Sequence, residues 1–319
     1  MKAADPTDGS ILVVGTSNLD ISLYVEHLPT SGETVLGDLR TACGGKAANQ
    51  AVGAARLGAR VNLVSRVGED EHGRTLLREL SREGVGAKHV RVVDNGTSGV
   101  ALIMVDRDAQ TVIGVAEGVN RYMNAGDLDE IPELLDPATL VVAEMGVPYV
   151  VIRRLAELRL RTGFTFILNP APVSAPLSND LWRGVDIVTP NATEAEVLTG
   201  LSISDDRSAI AAAECLRSLG ARLAIVTLGA HGVAYAGAAD SGVRRAFPVV
   251  PVDTTAASDA FNAGLAAGLL AGRADVDAVV YGQAVAALSV TRRGAQPSMP
   301  TAAEVDDFLT SDAALKEYA

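Results

Sequence analysis

Cysteine is nearly absent. Only Cys43 and Cys215 occur in 319 residues, too few for a disulfide framework. Histidine is almost as scarce, and His27, His72, His89 and His231 are scattered without metal-ligand spacing. Aromatic residues make up 4% with one tryptophan, Trp182, which leaves little with which to cradle a nucleobase. Basic residues are outnumbered 27 to 39, giving a formal charge of −12. A surface of that sign repels phosphate backbones, so neither nucleic acid nor an anionic membrane is an expected partner. A small anion held in a local positive pocket is still allowed. No uncharged apolar run reaches the ~18 residues that span a bilayer. Residues 1–10 are polar and carry Asp5 and Asp8, unlike a signal peptide. The expectation is a soluble, cytoplasmic protein.

What is abundant is material for a core. Hydrophobic residues make up 48% of the chain, and there are 31 glycines. Short β-type apolar runs at 11–14, 61–64, 140–142, 164–168, 186–188 and 224–227 read as buried strands. Helical segments at 47–57, 71–83, 150–162, 193–199, 207–219, 258–271 and 276–291 alternate with them. Such alternation predicts an α/β fold with a mainly parallel central sheet and helices on both faces. Its ligands bind beyond the carboxyl ends of the strands. Two regions, 22–39 and 97–115, alternate in β fashion without helices between. Segments 18–40 and 97–116 are therefore expected to form a small β-sheet lid inserted in a single domain at 9–310. The competing reading makes them edge strands of the main sheet.

Several common sites are missing. Gly45-Lys46 is followed by Ala47, and Arg40 stands where a P-loop needs its first glycine. There is no strand-linked G-x-G-x-x-G, no H-E-x-x-H and no G-x-S-x-G elbow. The informative segment is Val252-Asp253-Thr254-Thr255-Ala256-Ala257-Ser258-Asp259-Ala260-Phe261-Asn262-Ala263-Gly264. Small and hydroxyl residues lead there into a helix whose first-turn amides, Ala256, Ala257 and Ser258 among them, make an anion site. Asp259, in that turn, should stay ionised and could accept a proton from an attacking hydroxyl. The plainer reading makes Ser258 an N-cap and Asp259 an ordinary first-turn acid. The segment alone leaves both open.

This segment resembles the C-terminal signature of the ribokinase-like carbohydrate kinases of the phosphofructokinase B type, D-T-x-x-x-G-D-x-F, with Ser258 replacing the last glycine. The N-terminal signature is present as Gly44-Gly45-Lys46-Ala47-Ala48-Asn49-Gln50-Ala51, with Ala47 replacing a common glycine. Asn18-Leu19-Asp20 and Gly32-Glu33-Thr34 upstream, and Asn191-Ala192-Thr193-Glu194, Thr227-Leu228-Gly229-Ala230-His231-Gly232 and Arg293-Gly294-Ala295-Gln296-Pro297-Ser298 downstream, match in register.

The resemblance implies a ribokinase-like fold and an ATP-dependent kinase acting on a sugar hydroxyl, with D-ribose favoured. It implies Asp259 as base, and Asn18, Asp20, Gly44, Gly45, Lys46, Asn49, Glu144 and Asp259 around the sugar. Asp20 or Glu144 in isolation reads as a solvated loop carboxylate, and Lys46 as a surface lysine. ATP would meet Asn191, Thr227, Gly229, His231, Gly232, Ser258 and Gln283. Glu194 would hold Mg²⁺ through water. Asp253, Thr255, Ser289, Arg292, Gly294 and Ser298 match the places of a K⁺-like activating ion. A homodimer through the lid is implied as well. A nucleoside kinase, a kinase for another sugar, or a weakly active sugar-binding relative, given Ser258, are the alternatives.

Overall fold

A computed structural model describes residues 9–108 and 110–311. The first half runs β1 (Ser10–Val14), β2 (Asn18–Val25), β3 (Gly37–Gly44), α1 (Lys46–Arg56), β4 (Val61–Gly68), α2 (Glu71–Arg82), β5 (Val90–Val93), β6 (Gly99–Val105), β7 (Thr111–Ala116), α3 (Gly126–Asp129) and β8 (Thr139–Glu144). The second runs α4 (Tyr149–Thr162), β9 (Thr165–Asn169), α5 (Asn179–Trp182), β10 (Ile187–Val188), α6 (Ala192–Thr199), α7 (Asp206–Leu219), β11 (Leu223–Thr227), β12 (Val233–Ala236), β13 (Ser241–Arg244), α8 (Ala257–Leu270), α9 (Asp275–Val290) and α10 (Ala302–Leu309).

Nine strands form one sheet in the order β13-β12-β11-β10-β9-β8-β1-β4-β5. Pairing is parallel from β11 to β5, and the β11–β12–β13 edge is antiparallel. Successive residues of a strand point to opposite faces. Leu12 and Val14 accordingly pack into a core with α4, α6 and α7, whereas Ile11 and Val13 pack with α1, α8 and α9. Both faces being dry beyond Ser10, β1 must be apolar from Ile11 on, hence its unbroken Ile-Leu-Val-Val. Each such side chain contributes about 1.5–3 kcal/mol by leaving water.

The two β-like regions form a separate four-stranded sheet, β3-β2-β6-β7, and not edges of the main one. β2 pairs with β3 antiparallel and with β6 parallel. Pairing continues to Asn18↔Gly44, so β3 runs past the expected end at 40. β5, β12 and β13 were absent from the sequence expectation. They are four residues each, and Ser-Gly-Val-Arg of β13 has no apolar run; only pairing with β12 extends it.

Candidate active site

The site grows from the carboxyl ends of β1 and β8 and the amino ends of two helices. After β1 the chain turns directly into β2, which carries Asn18 and Asp20. Gly44 lies against Asp20, and a Cβ there would stand 2.0 Å from Oδ2. Gly45 precedes α1 with φ of 92°, a left-handed backbone, and its Cβ would meet the Asn18 amide at 2.7 Å. The double glycine thus lets α1 start against β2, which brings Lys46 and Asn49 inward. Glu144 ends β8 fully buried, its carboxylate accepting the amides of Thr16 and Gly146, both at 2.5 Å.

These residues wall a cavity of about 600 Å³ with Asn18, Asp20, Gly45, Lys46, Asn49, Glu144 and Asp259 in its lining. The small sheet closes one side through Ala101, Ile103, Thr111, Ile113 and Val115. Asn120 also lines it and was missed in the sequence. Its Nδ2 donates to Asn18 Oδ1 at 2.9 Å and its Oδ1 accepts the Ser17 amide at 3.2 Å. It follows the lid hairpin in a short 3₁₀ turn, a place that carries no motif signal.

Asp259 sits in the first turn of α8, 3% exposed. Its Oδ2 accepts Asn49 Nδ2 at 3.0 Å and its Oδ1 accepts Gln50 Nε2 at 3.1 Å. Asn49 therefore spends a donor on Asp259, leaving its buried Oδ1 unpartnered. Gln50 was not among the expected site residues, although it stands next to Asn49 in the same signature.

The electrostatics are those of crowded carboxylates around one cation. Burial pushes Asp259 above the ordinary carboxylate range; the Lys46 charge, Asn49 and Gln50 pull it back. Ionisation at neutral pH therefore depends on these partners and does not follow from the helix end alone, as the sequence suggested. Asp20 is pushed up to about 7, first by burial and then by the Asp259 charge. Burial likewise raises Glu144. Lys46 is held above its ordinary value by Asp259, then, against burial, by Glu144 and Glu194.

The helix start differs from the N-cap reading of Ser258. Ala256 is the N-cap, left-handed at φ 60°, and no side chain caps the turn. Ala257 is one of the three expected anion-site amides, and its N–H turns to Thr254 O at 3.2 Å. The amides of Ser258 and Asp259 have no intrahelical acceptor.

On the other side of this turn lies a second cavity of about 650 Å³. Asn191, Thr227, Gly229, Gly232, Ser258 and Gln283 line it, as does the apolar stretch Phe247–Pro248–Val249, which sequence reading missed because it belongs to no helix or strand. Gln283 Nε2 donates to the carbonyls of Arg244 and Arg245 at 3.2 and 3.0 Å. His231 is exposed and outside this lining. Glu194 forms a capping box with Asn191 at the start of α6; burial raises its carboxyl, opposed by the Asn191 amide and then by the Lys46 charge. Thr254 lines both cavities, and residues 254–259 separate them.

The residues expected around a monovalent ion come together beside that turn. Asp253 accepts the amides of Thr255 and Gly294, both at 2.8 Å, and Ser289 Oγ meets Ser298 Oγ at 2.7 Å. The Arg292 side chain turns away to Glu304, leaving only its carbonyl for an ion. This donor set is all oxygen, as a hard cation requires. Among the described residues no cluster of three or more His, Cys, Asp or Glu could hold a metal. A divalent ion here would therefore depend on phosphate oxygens and water.

Comparison with known proteins decides the family. The model of the pfkB family carbohydrate kinases matches residues 8–302. The chain belongs to that family. It is 36% identical to a ribokinase of Haemophilus influenzae over 301 residues, 94% of this chain and 98% of the relative. It is 32% identical to a deoxyribokinase of Salmonella typhi, over 94% of this chain and 98% of that one. The solved structure of Arabidopsis thaliana ribokinase complexed with ribose and ATP superposes with a TM-score of 0.85 at 31% identity, covering 95% of this chain and 99% of that one. The pfkB kinase fold is thus the nine-stranded sheet and small lid sheet described above.

Proposed function

We propose that this pfkB kinase transfers the γ-phosphoryl of ATP to the exocyclic hydroxyl of D-ribose, giving D-ribose 5-phosphate and ADP. The observation that carries the reading is the meeting of two cavities at a single helix start, with Asp259 at the junction. The first cavity is small and rich in fixed acceptors, suited to a neutral molecule dense in hydroxyls. The second has an apolar wall for a flat base and ends at free first-turn amides. Relatives named ribokinase, and the ribose and ATP of the Arabidopsis complex, favour this pair of ligands.

In the proposed reaction the sugar hydroxyl gives its proton to Asp259 as its oxygen bonds to the γ-phosphorus, and the bond to the bridging oxygen of ADP breaks. The amides of Ser258 and Asp259 face the charge that moves. Positioning and charge stabilisation do most of such work. Asn18, Asp20, Asn49 and Glu144 hold the ring hydroxyls. Asn191, Thr227, Gly229 and Gln283 frame the nucleotide. Mg²⁺, bridged to Glu194 through water, would neutralise phosphate charge. K⁺ would sit among Asp253, Ser298 and the carbonyls of Thr255, Ser289, Arg292 and Gly294.

Residues 9–310 serve as one catalytic unit in the cytoplasm. Leu39, Leu102 and Val112 are 64, 58 and 56% exposed on the lid. Strand register puts them on its outer face, away from Ala101 and Ile103. We read that face as the contact between two copies.

The test is ADP release with ATP and a panel of ribose, deoxyribose, fructose and nucleosides, in potassium and in tetramethylammonium. Ribose should give the highest kcat/KM, and loss of potassium should lower the rate. Asp259→Asn should lower kcat by orders of magnitude with sugar affinity kept. Turnover confined to nucleosides, or a near-normal Asp259→Asn, would overturn the reading.

A further inference from the structure

Behind Asp259, on the side away from both cavities, runs a chain of buried polar groups that substrate contact does not explain. Gln50 Nε2 donates to Asp259 Oδ1 at 3.1 Å and to Asn169 Oδ1 at 3.4 Å. Asn169 Nδ2 donates to the Thr189 carbonyl at 3.1 Å. Thr189 Oγ1 donates to Asn262 Oδ1 at 2.7 Å, and Asn262 Nδ2 to the Ser258 carbonyl at 2.8 Å. Gln50, Asn169, Thr189 and Asn262 are at most 2% exposed. None of the four lines either cavity. They come from α1, the end of β9, the residue after β10, and α8, so four elements are tied at one point.

The chain starts on one oxygen of Asp259 and ends on the carbonyl of the residue before it. A trans peptide is planar, with C=O and N–H opposed. Fixing the Ser258 carbonyl therefore also fixes the direction of the Asp259 N–H, one of the free first-turn amides. One set of bonds sets both the carboxylate and the amide beside it. Gln50 also keeps its Oε1 buried and unpartnered. Buried polar atoms are nearly always satisfied, so an amide that turns both donors toward acceptors and leaves its own acceptor bare serves the site more than the core.

We propose that Gln50, Asn169, Thr189 and Asn262 form a positioning relay that aligns Asp259 and the anion-site amide. The relay clamps Oδ1 from behind and leaves Oδ2, on the side of cavity-lining Asn49, to take the proton. This rests on the reading of Asp259 as base.

The experiment is steady-state kinetics of the full chain with ATP and whichever sugar turns over. Gln50→Leu should lower kcat about 10–100-fold, the cost of a misplaced reacting group, with sugar KM within about twofold. Thr189→Val, which keeps shape and removes the hydroxyl, should lower kcat roughly tenfold, and Thr189→Ser should restore it. A normal kcat in Gln50→Leu overturns the relay, as does a loss carried by KM alone, or a Thr189→Ser as impaired as Thr189→Val. If Gln50→Leu does not fold, the Thr189 pair decides. Asp259→Asn is measured beside them. If it stays active, the base reading itself falls; if it is dead while Gln50→Leu is normal, only the relay does.

Discussion

Replacing Lys46 by methionine removes the one cation set among Asp259, Glu144 and Glu194 while keeping most of the side chain's length and bulk. Burial favours the neutral acid of Asp259, and Lys46 is the largest influence opposing it. A neighbouring opposite charge favours the carboxylate, so its loss should raise Asp259 further. A base must be ionised to work. The acid limb of the kcat–pH profile should therefore move to higher pH. Below the limb, turnover should fall tenfold for each unit the limb moves, and it should recover as pH rises. The assay is ADP release from pH 6 to pH 9.5 at saturating sugar and ATP (roughly the span over which the shift would be visible). A loss of equal size at every pH, with the limb unmoved, would refute the argument. Lys46 would then act by touching a substrate and not by keeping Asp259 charged.

Three further outcomes are expected. Asp20, raised to about 7, binds its proton more tightly in the fold than in the unfolded chain. The unliganded protein should therefore lose thermal stability as pH climbs from about 4 to 7; sugar affinity, measured by titration calorimetry, should rise through about pH 7 as the carboxylate forms. Asp20→Asn should flatten both trends. Ser258→Gly should lower kcat about 2–12-fold and weaken ATP, if the hydroxyl donates one neutral hydrogen bond into the nucleotide cavity; a higher kcat would show instead that the side chain crowds the phosphate. Leu102→Arg, on the outer face of the lid, should halve the sedimenting mass at micromolar concentration, and an unchanged mass would remove the lid as the dimer contact.

The sequence by itself determined the layered fold, because buried parallel strands must be apolar on both faces and their helices must be amphipathic or small. Ile11 to Val14 and Ala224 to Thr227 could scarcely be anything else. It also named the polar residues at the heart of the first cavity. Asn18, Asp20, Gly45, Lys46, Asn49 and Asp259 lie in short motifs whose glycines and hydroxyls have local backbone reasons. Contacts between distant segments were out of reach. Asn120 orients Asn18 across 102 positions, and Gln50 reaches Asp259 across 209. Nor could helix propensity reveal that Ala256, and not Ser258, caps α8, since the cap was settled by the turn from Asp253. The ionisation of Asp259 was likewise a tertiary matter. A helix start favours a carboxylate in water, but burial reverses that preference, and only the packing that delivers Lys46, Asn49 and Gln50 from α1 opposes it. Motifs record which groups a local backbone can present; desolvation and charge pairing depend on what the rest of the chain places around them.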